Sequence, residues 1–362
     1  MAVSPTLDGF AAHAERPDAS EHELVLVRRG PRTGAHTIVA VHSTLLGPAL
    51  GGCRLRRYER LDDAIDDALR LSGAMTLKAA AARLELGGGK SVIFPRPDLD
   101  LTGSARAHLL EDFAETVNML GGRYITAEDV GTTSSDMDAL SRLSRWVVGS
   151  PTRHGGSGDP GEFTAVGVRA AMRACMWAHF GTAELRGRSC AIVGVGHVGE
   201  PLARRLHTEG VALVLSDVDE RKRALADELG AQWLAPYDAL RAEVDVLAPC
   251  ALGGVIDGEL AEELSARIVC GSANNQLTDA RVAEVLHAHG VLYAPDFIVN
   301  SGGLINVSLE LTGYDRGVAL ARVEGIEGEL GRILEHAERV SITPLAAAEE
   351  LAHEWLAEHA RS

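Results

Sequence analysis

The chain has 362 residues, enough for about two domains, and at 46% hydrophobic it can fill a core in each. A formal net charge of −16 argues against nucleic acid or an anionic membrane surface as a partner. No apolar run is long enough to span a bilayer, and the mixed, acidic opening residues do not read as a secretory signal.

The elements alternate from the start. Leu24 to Arg28 and His36 to His42 read as strands, the second as a nearly continuous apolar run. Leu61 to Ala82 carries apolar residues at helical spacing (Ile65, Leu69, Met75), and the acids Asp62, Asp63, Asp66 and Asp67 read as its solvated face. Gly87-Gly88-Gly89 then leads into a short strand, Ser91 to Phe94. A helix is expected over Thr102 to Leu120, a strand over Tyr124 to Ala127, and a capped helix start at Thr133. Residues 150–161, rich in Gly, Pro and Ser, read as a linker or as a loop that folds over a ligand.

Past it come a helix over Glu162 to Phe180 and five strand candidates: Ser189 to Val193, Ala212 to Ser216, Val244 to Ala248, Ile268 to Ser272 and Val291 to Ala294. Strands alternating with helices predict a parallel sheet covered on both faces. Arg316 to Ser362 reads as two helices broken near Thr343-Pro344. The expected class is α/β with two domains: a mixed α/β catalytic domain over 1–149 and a doubly wound, Rossmann-type domain over 150–345. Residues 346–362 are expected to return to the first domain.

Two stretches carry chemistry. Gly194, Gly196 and Gly199 form GxGxxG directly after an apolar strand and ahead of a helix expected to start near Gly196, with Asp217 at the end of the next strand. Such glycines allow a tight turn and close approach of a pyrophosphate, and the acid accepts from ribose hydroxyls. Asp217 also repels a 2′-phosphate, so the expected cofactor is NAD rather than NADP, with FAD or a plain Gly-rich turn as alternatives. His197 reads as an exposed filler.

The second stretch holds Lys78 and Lys90, with Asp129 after the Tyr124 strand. Two ammonium groups held close together disfavour each other's protonation, so one of such a pair can act as a base while the other binds an anion. Taken alone, Lys78 on a helix is as readily a solvated side chain; Lys90 behind three glycines is less easily read so. Five scattered cysteines (Cys53, Cys175, Cys190, Cys250, Cys270) without a CxxC pair argue for a reducing, cytoplasmic setting. They also argue against a zinc site, and His13, His154, His287, His289, His336, His353 and His359 show no ligand spacing, so no metal is expected.

Several motifs together resemble the glutamate, leucine, phenylalanine and valine dehydrogenase superfamily, in its leucine, valine and phenylalanine branch. They are GPALGGCR over 47–54, MTLKAA over 75–80, LGGGK over 86–90 and YITAEDVGTT over 124–133. Further on come APCALGG over 248–254, GSANNQL over 271–277, YAPD over 293–296 and NSGGLINV over 300–307. The resemblance implies NAD-dependent, reversible oxidative deamination of an apolar L-amino acid to the 2-oxo acid and ammonia, with two domains closing over a cleft.

It implies that Lys78 binds the substrate carboxylate, that Lys90 activates water during imine hydrolysis, and that Asp129 exchanges a proton with the amino group. Asn275 and Thr164 would lie near the nicotinamide, and Leu50, Gly51, Ala127, Leu304 and Val307 would line the substrate pocket. In the glutamate-specific branch the positions of Leu50 and Val307 carry lysine and serine, so glutamate is not expected here. Leucine, valine or isoleucine is favoured. Phenylalanine is the alternative, suggested by Leu304 and the Asn274-Asn275 pair. A homo-oligomer is implied. A non-catalytic NAD-binding regulator on the same fold, and a structural protein with solvated lysines, are the competing readings.

Overall fold

A computed structural model describes residues 21–152 and 155–360. The expectations for the first 20 residues, and those for His13, Arg153 and His154, lie outside the described residues. The chain divides into two compact units. The first gathers the described residues of Met1–Asp159, Val307–Tyr314 and Trp355–Ser362; the second holds Pro160–Asn306 and Asp315–Glu354.

Unit 1 is built on five strands: β1 (Leu24–Arg29), β2 (His36–Ser43), β3 (Ala49–Leu55), β4 (Gly87–Phe94) and β5 (Tyr124–Glu128). Their order is β1-β2-β4-β3-β5; β2 runs antiparallel to both neighbours, while β3 runs parallel to β4 and β5. Helix α1 (Leu61–Ala81) connects β3 to β4, and α2 (Gly103–Met119) connects β4 to β5. They cover opposite faces. Ile65 and Leu69 of α1 pack with Ile38, Ala40 and Val92, while Phe113 and Val117 of α2 pack with Val39, Val41, Ile93 and Tyr124. Successive strand residues point to opposite faces, so a strand covered on both sides is apolar along its covered stretch, as Ile38, Val39, Ala40 and Val41 of β2 are.

Two expectations are corrected here. Ala49–Leu55, not anticipated as a strand, is the middle member of the β4-β3-β5 group. Gly51 and Gly52 inside it lower its strand signal. Gly87-Gly88-Gly89, expected as a turn ahead of the strand, lie within β4 itself. A β-carbon on Gly88 would sit 2.1 Å from the Thr76 nitrogen in α1, and one on Gly89 2.7 Å from the Tyr124 ring. The closeness that these glycines allow is to the protein's own atoms.

Unit 2 carries β6 (Ser189–Val193), β7 (Ala212–Ser216), β8 (Gln232–Trp233), β9 (Val246–Pro249), β10 (Ile268–Val269) and β11 (Leu292–Tyr293). All run parallel, in the order β11-β10-β9-β6-β7-β8. The order reverses at β6, as in a doubly wound dinucleotide fold. Beyond α3 (Ser134–Ser141) of unit 1, α4 (Pro160–Phe180) opens unit 2 and α5 (Gly199–Thr208) follows β6. From Arg316 on, α6 (Arg316–Glu324), α7 (Ile326–Val340) and α8 (Pro344–His359) make three helices where two were expected, because Gly325 adds a break ahead of the one at Ser341. Helix α4 packs on α7 so closely that a β-carbon on Gly167 would meet Ile326 Cδ1 at 2.8 Å. From Trp355 on, α8 groups with unit 1, where the Arg83 guanidinium lies over the Trp355 ring at 4.8 Å.

The Gly149 and Ser157 N–H groups both donate to Glu310 Oε1, at 3.0 and 2.7 Å, so the returning 307–314 segment holds the end of the first passage through unit 1. The turn after β5 is fixed by Asp136 in the first turn of α3. Its Oδ2 accepts from Thr133 N and Oγ1, both at 2.8 Å, and its two oxygens take Arg106 Nε and Nη2 at 2.8 and 2.7 Å. Asp136→Ala removes half of this capping box and takes the carboxylate from Arg106, which keeps the Gly131 and Leu101 carbonyls. Urea unfolding should show a loss of about 2 kcal/mol.

Candidate active site

In unit 1 the register of three adjacent strands sets the chemistry. Cys53 of β3 lies level with Ser91 of β4 and with Glu128 of β5. One residue from that row are Arg54, Lys90 and Asp129. Arg54 shares with Val92 the face that α1 covers. At Gly52, a β-carbon would lie 2.7 Å from Asp129 Cβ, so a glycine there leaves the Asp129 side chain its place. Lys90 Nζ then reaches Asp129 Oδ2 at 2.5 Å, and Arg54 Nε lies 3.3 Å from the same oxygen. Lys90 is 7% exposed. The Asp129 N–H donates to Thr132 Oγ1 at 3.0 Å, and that hydroxyl donates to the Cys53 carbonyl at 2.9 Å, which fixes the backbone at the acid. Burial alone would push the Asp129 carboxyl up, but the Lys90 and Arg54 charges outweigh it and hold it below the ordinary carboxylate range.

The row of charges continues into α1. Arg54 Nη1 donates to Asp67 Oδ2 at 2.8 Å, and Asp67 also takes the Tyr58 hydroxyl at 2.6 Å and Arg70 Nη2 at 2.8 Å. The expectation that Asp67 belongs to a solvated acidic face is therefore overturned: its side chain is 12% exposed and has three partners. Burial raises its carboxyl, and the Tyr58 hydroxyl with the Arg54 charge brings it below the ordinary range. Lys78 sits in the last turn of α1, half-buried, rather than mid-helix. Leu50 and Ala127, on β3 and β5, are buried, as is Val307 in the segment that returns to unit 1.

In unit 2 the glycine loop has the form that a dinucleotide requires. Gly194 has φ +103°, and a β-carbon on it would meet Ala251 Cβ at 2.5 Å. One on Gly199 would strike the Gly194 carbonyl oxygen at 1.9 Å, the close packing of helix on strand that the third glycine permits. A β-carbon on Gly196 would meet only Lys222 Nζ, at 3.8 Å, so the loop is open where phosphates approach. Helix α5 starts at Gly199 rather than at Gly196, although the Glu200 N–H already bonds the Gly196 carbonyl at 3.0 Å.

Asp217 follows β7 as expected, and its carboxylate accepts from Val195 N at 3.0 Å and Asp219 N at 3.0 Å. Burial raises this carboxyl, and those N–H groups with the Lys222 ammonium, 3.2 Å away, bring it below the ordinary range. Lys222 was not anticipated. Asn275 has φ +51°, a left-handed backbone that Asn tolerates, and its N–H donates to Asp296. Asn300 Nδ2 steadies the same loop through Asn274 Oδ1 at 2.8 Å and the Ser272 carbonyl at 3.1 Å. Thr164 Oγ1 donates to the Pro160 carbonyl at 2.8 Å, and Leu304 is buried.

A doubly wound unit with a glycine loop and strand-end acid, joined in one chain to a unit bearing a buried lysine–aspartate pair, defines a dehydrogenase of the nicotinamide-dependent class. Family models agree: "Glu/Leu/Phe/Val dehydrogenase, dimerisation domain" matches residues 25–144, and "Glutamate/Leucine/Phenylalanine/Valine dehydrogenase" matches residues 215–339. The chain is 42% identical over 344 residues to leucine dehydrogenase of Bacillus subtilis (strain 168), covering 94% of this chain and 93% of that one. It is 40% identical over 348 residues to phenylalanine dehydrogenase of Caldalkalibacillus thermarum (strain TA2.A1), covering 94% and 93%. Among solved structures it resembles L-tryptophan dehydrogenase from Nostoc punctiforme, with a TM-score of 0.82, 36% identity, and coverage of 98% of this chain and 100% of that one. The chain belongs to the Glu/Leu/Phe/Val dehydrogenase family and is an amino-acid dehydrogenase.

The depressed Asp67 carboxyl gives a sign that can be tested. A group whose folded pKa lies below its ordinary 3.8 contributes stability that is fully present above 3.8 and is lost as pH falls through the folded value. Asp67→Asn lacks that contribution. Isothermal urea unfolding should find the wild type more stable than the variant by a constant margin from pH 5 to 7, a range of about two units, with the gap closing at more acid pH.

Proposed function

We propose that this dehydrogenase oxidises branched-chain aliphatic L-amino acids, leucine first, with NAD as cofactor, releasing the 2-oxo acid and ammonia in a reversible reaction. The observation that carries the reading is the Lys90–Asp129 pair in the same unit as two buried aliphatic side chains, Leu50 and Val307. In this proposal Lys78 holds the substrate carboxylate. Asp129 takes a proton from the amino group as the Cα hydrogen departs as hydride. Lys90 activates the water that adds to the resulting imine, and collapse of that adduct releases ammonia. The bound nicotinamide supplies the hydride acceptor, and Thr164 and Asn275 orient it.

Leu50, Gly51, Ala127, Leu304 and Val307 are assigned to the substrate side chain. A second carboxylate among such residues would be left unpaired at a cost of several kcal/mol, which excludes glutamate. Asp217 accepts from the adenosine ribose and disfavours a 2′-phosphate. Phenylalanine is the second reading, favoured by the resemblance of Leu304 and Asn274-Asn275 to phenylalanine enzymes and by the similarity to the Caldalkalibacillus enzyme. A homo-oligomer is supported by the match to a dimerisation-domain model. A cytoplasmic setting is supported by five free cysteines, and no helix among the described residues is long and apolar enough to cross a membrane.

Initial rates of NADH formation with leucine, valine, isoleucine, phenylalanine and glutamate test the reading. Leucine should give the highest kcat/KM and glutamate none; phenylalanine in first place would transfer the assignment to the second reading. Asp129→Asn should lower kcat by roughly 10²- to 10⁴-fold, the usual worth of a positioned proton acceptor. NADP in place of NAD should support little turnover with the wild type and more with Asp217→Ser, since Lys222 then faces the phosphate without a competing carboxylate.

A further inference from the structure

We infer that Arg54 is a positioning residue for the deamination: its guanidinium, anchored on Asp67 of α1, fixes the Asp129 carboxylate against Lys90. The inference rests on the proposed role of Asp129 as proton acceptor. Arg54 is a buried cation, its side chain 16% exposed, and it reaches two carboxylates that come from different parts of the fold. On one side, Nη1 donates to Asp67 at 2.8 Å, and Asp67 is itself tied to Tyr58 and Arg70. On the other side, Nε lies 3.3 Å from Asp129 Oδ2.

The two ends of Arg54 differ in kind. Its contact with Asp67 is a directed hydrogen bond, whereas Arg54 Nε, 3.3 Å from Asp129 Oδ2, makes none; the close donor on that oxygen is the Lys90 ammonium at 2.5 Å. Arg54 thus holds Asp129 by charge and leaves the close contact on Oδ2 to Lys90. An acceptor that must take a proton from an amine and return it needs such an arrangement. A second directed N–H donor would compete with Lys90 for the oxygen, and a second cation that titrates would lose its hold as protons move. Arginine keeps its charge throughout.

The same clamp reaches Lys78. Asp67 and Lys78 are eleven residues apart on α1, close to three full turns, so they lie on the same side of the helix. Fixing Asp67 to β3 through Arg54 fixes the rotation of α1 on the sheet, and with it the side from which Lys78 projects. A purely structural cross-link between α1 and β3 would serve stability alone; a positioning residue must act through Asp129.

The test compares Arg54→Ala, Arg54→Lys, Asp129→Asn and the Arg54→Ala/Asp129→Asn double variant, each checked for folding by its unfolding midpoint and by NADH binding. Arg54→Ala should lower kcat on the order of 10- to 100-fold, the cost of a small misplacement of a reacting group, with little change in KM for the cofactor. Low concentrations of guanidinium chloride, against matched sodium chloride, should restore part of the lost kcat, and Arg54→Lys should keep more activity than Arg54→Ala. In the Asp129→Asn background, Arg54→Ala should cost little more, because the group that it positions is already gone. Full additivity of the two changes, or a folded Arg54→Ala enzyme with wild-type kcat, would overturn the inference. Wild-type activity in Asp129→Asn alone would sink the role of Asp129 instead, and so separates the two failures.

Discussion

The carboxylate of Asp129 is the constraint on which unit 1 depends. A buried carboxylate without partners costs several kcal/mol, and a buried pair that loses one member costs nearly as much. The chain meets this with two cations from two different strands, Lys90 at 2.5 Å and Arg54 at 3.3 Å from one oxygen. Each depends on register. The parallel pairing of β3 with both β4 and β5 puts the three side chains side by side, and Gly52 leaves the acid room to reach its partners. Glycines that weaken β3 as a strand are thus what the site requires of it. The sequence of β3 compromises local stability for the chemistry next to it.

The two units solve related problems in the same way. In each, an acid stands at the carboxyl end of a parallel strand, Asp129 after β5 and Asp217 after β7, the end at which open α/β sheets bind their ligands. In each, backbone groups and a lysine lower the acid's affinity for a proton: Lys90 beside Asp129, Lys222 beside Asp217. The difference lies in what the carboxylate faces. Asp217 is tied by the Val195 and Asp219 N–H groups, which suits an acid that only accepts hydrogen bonds. Asp129 Oδ2 faces the Lys90 ammonium at 2.5 Å and the Arg54 charge at 3.3 Å, which suits one that handles protons.

Much of this was legible in the residues. The parallel sheet of unit 2 followed from strand–helix alternation, and the glycine loop with its strand-end acid from spacing alone. In unit 1, Lys90 stood out because it sits behind three glycines at the mouth of a recognisable strand, and Asp129 because it follows one. Arg54 and Asp67 did not. Arg54 sits on a strand hidden by its own glycines, and Asp67 belongs to a helix face whose neighbours Asp62, Asp63 and Asp66 read as solvated. Only its hydrogen bonds to Arg54 of β3 and to Tyr58 show that Asp67 turns towards the sheet. The third C-terminal helix was missed for a local reason: one helix ends and the next begins at Gly325, with no proline to announce it. Glu310 gave no sign at all, since its partners are two backbone N–H groups more than a hundred residues earlier.

That last contact bears on how the protein is made. Unit 1 is discontinuous: its strands are all complete by Glu128, yet Val307–Tyr314 and the residues from Trp355 belong to it. A ribosome releases the chain from the N-terminus, so the sheet bearing Lys90 and Asp129 emerges long before Glu310 can bind Gly149 and Ser157, or Trp355 can meet Arg83. The first unit therefore stays unfinished until all of β6 to β11 has been synthesised. Its completion comes last, and a nascent chain that stalls in the second unit leaves the catalytic sheet without its closing segments.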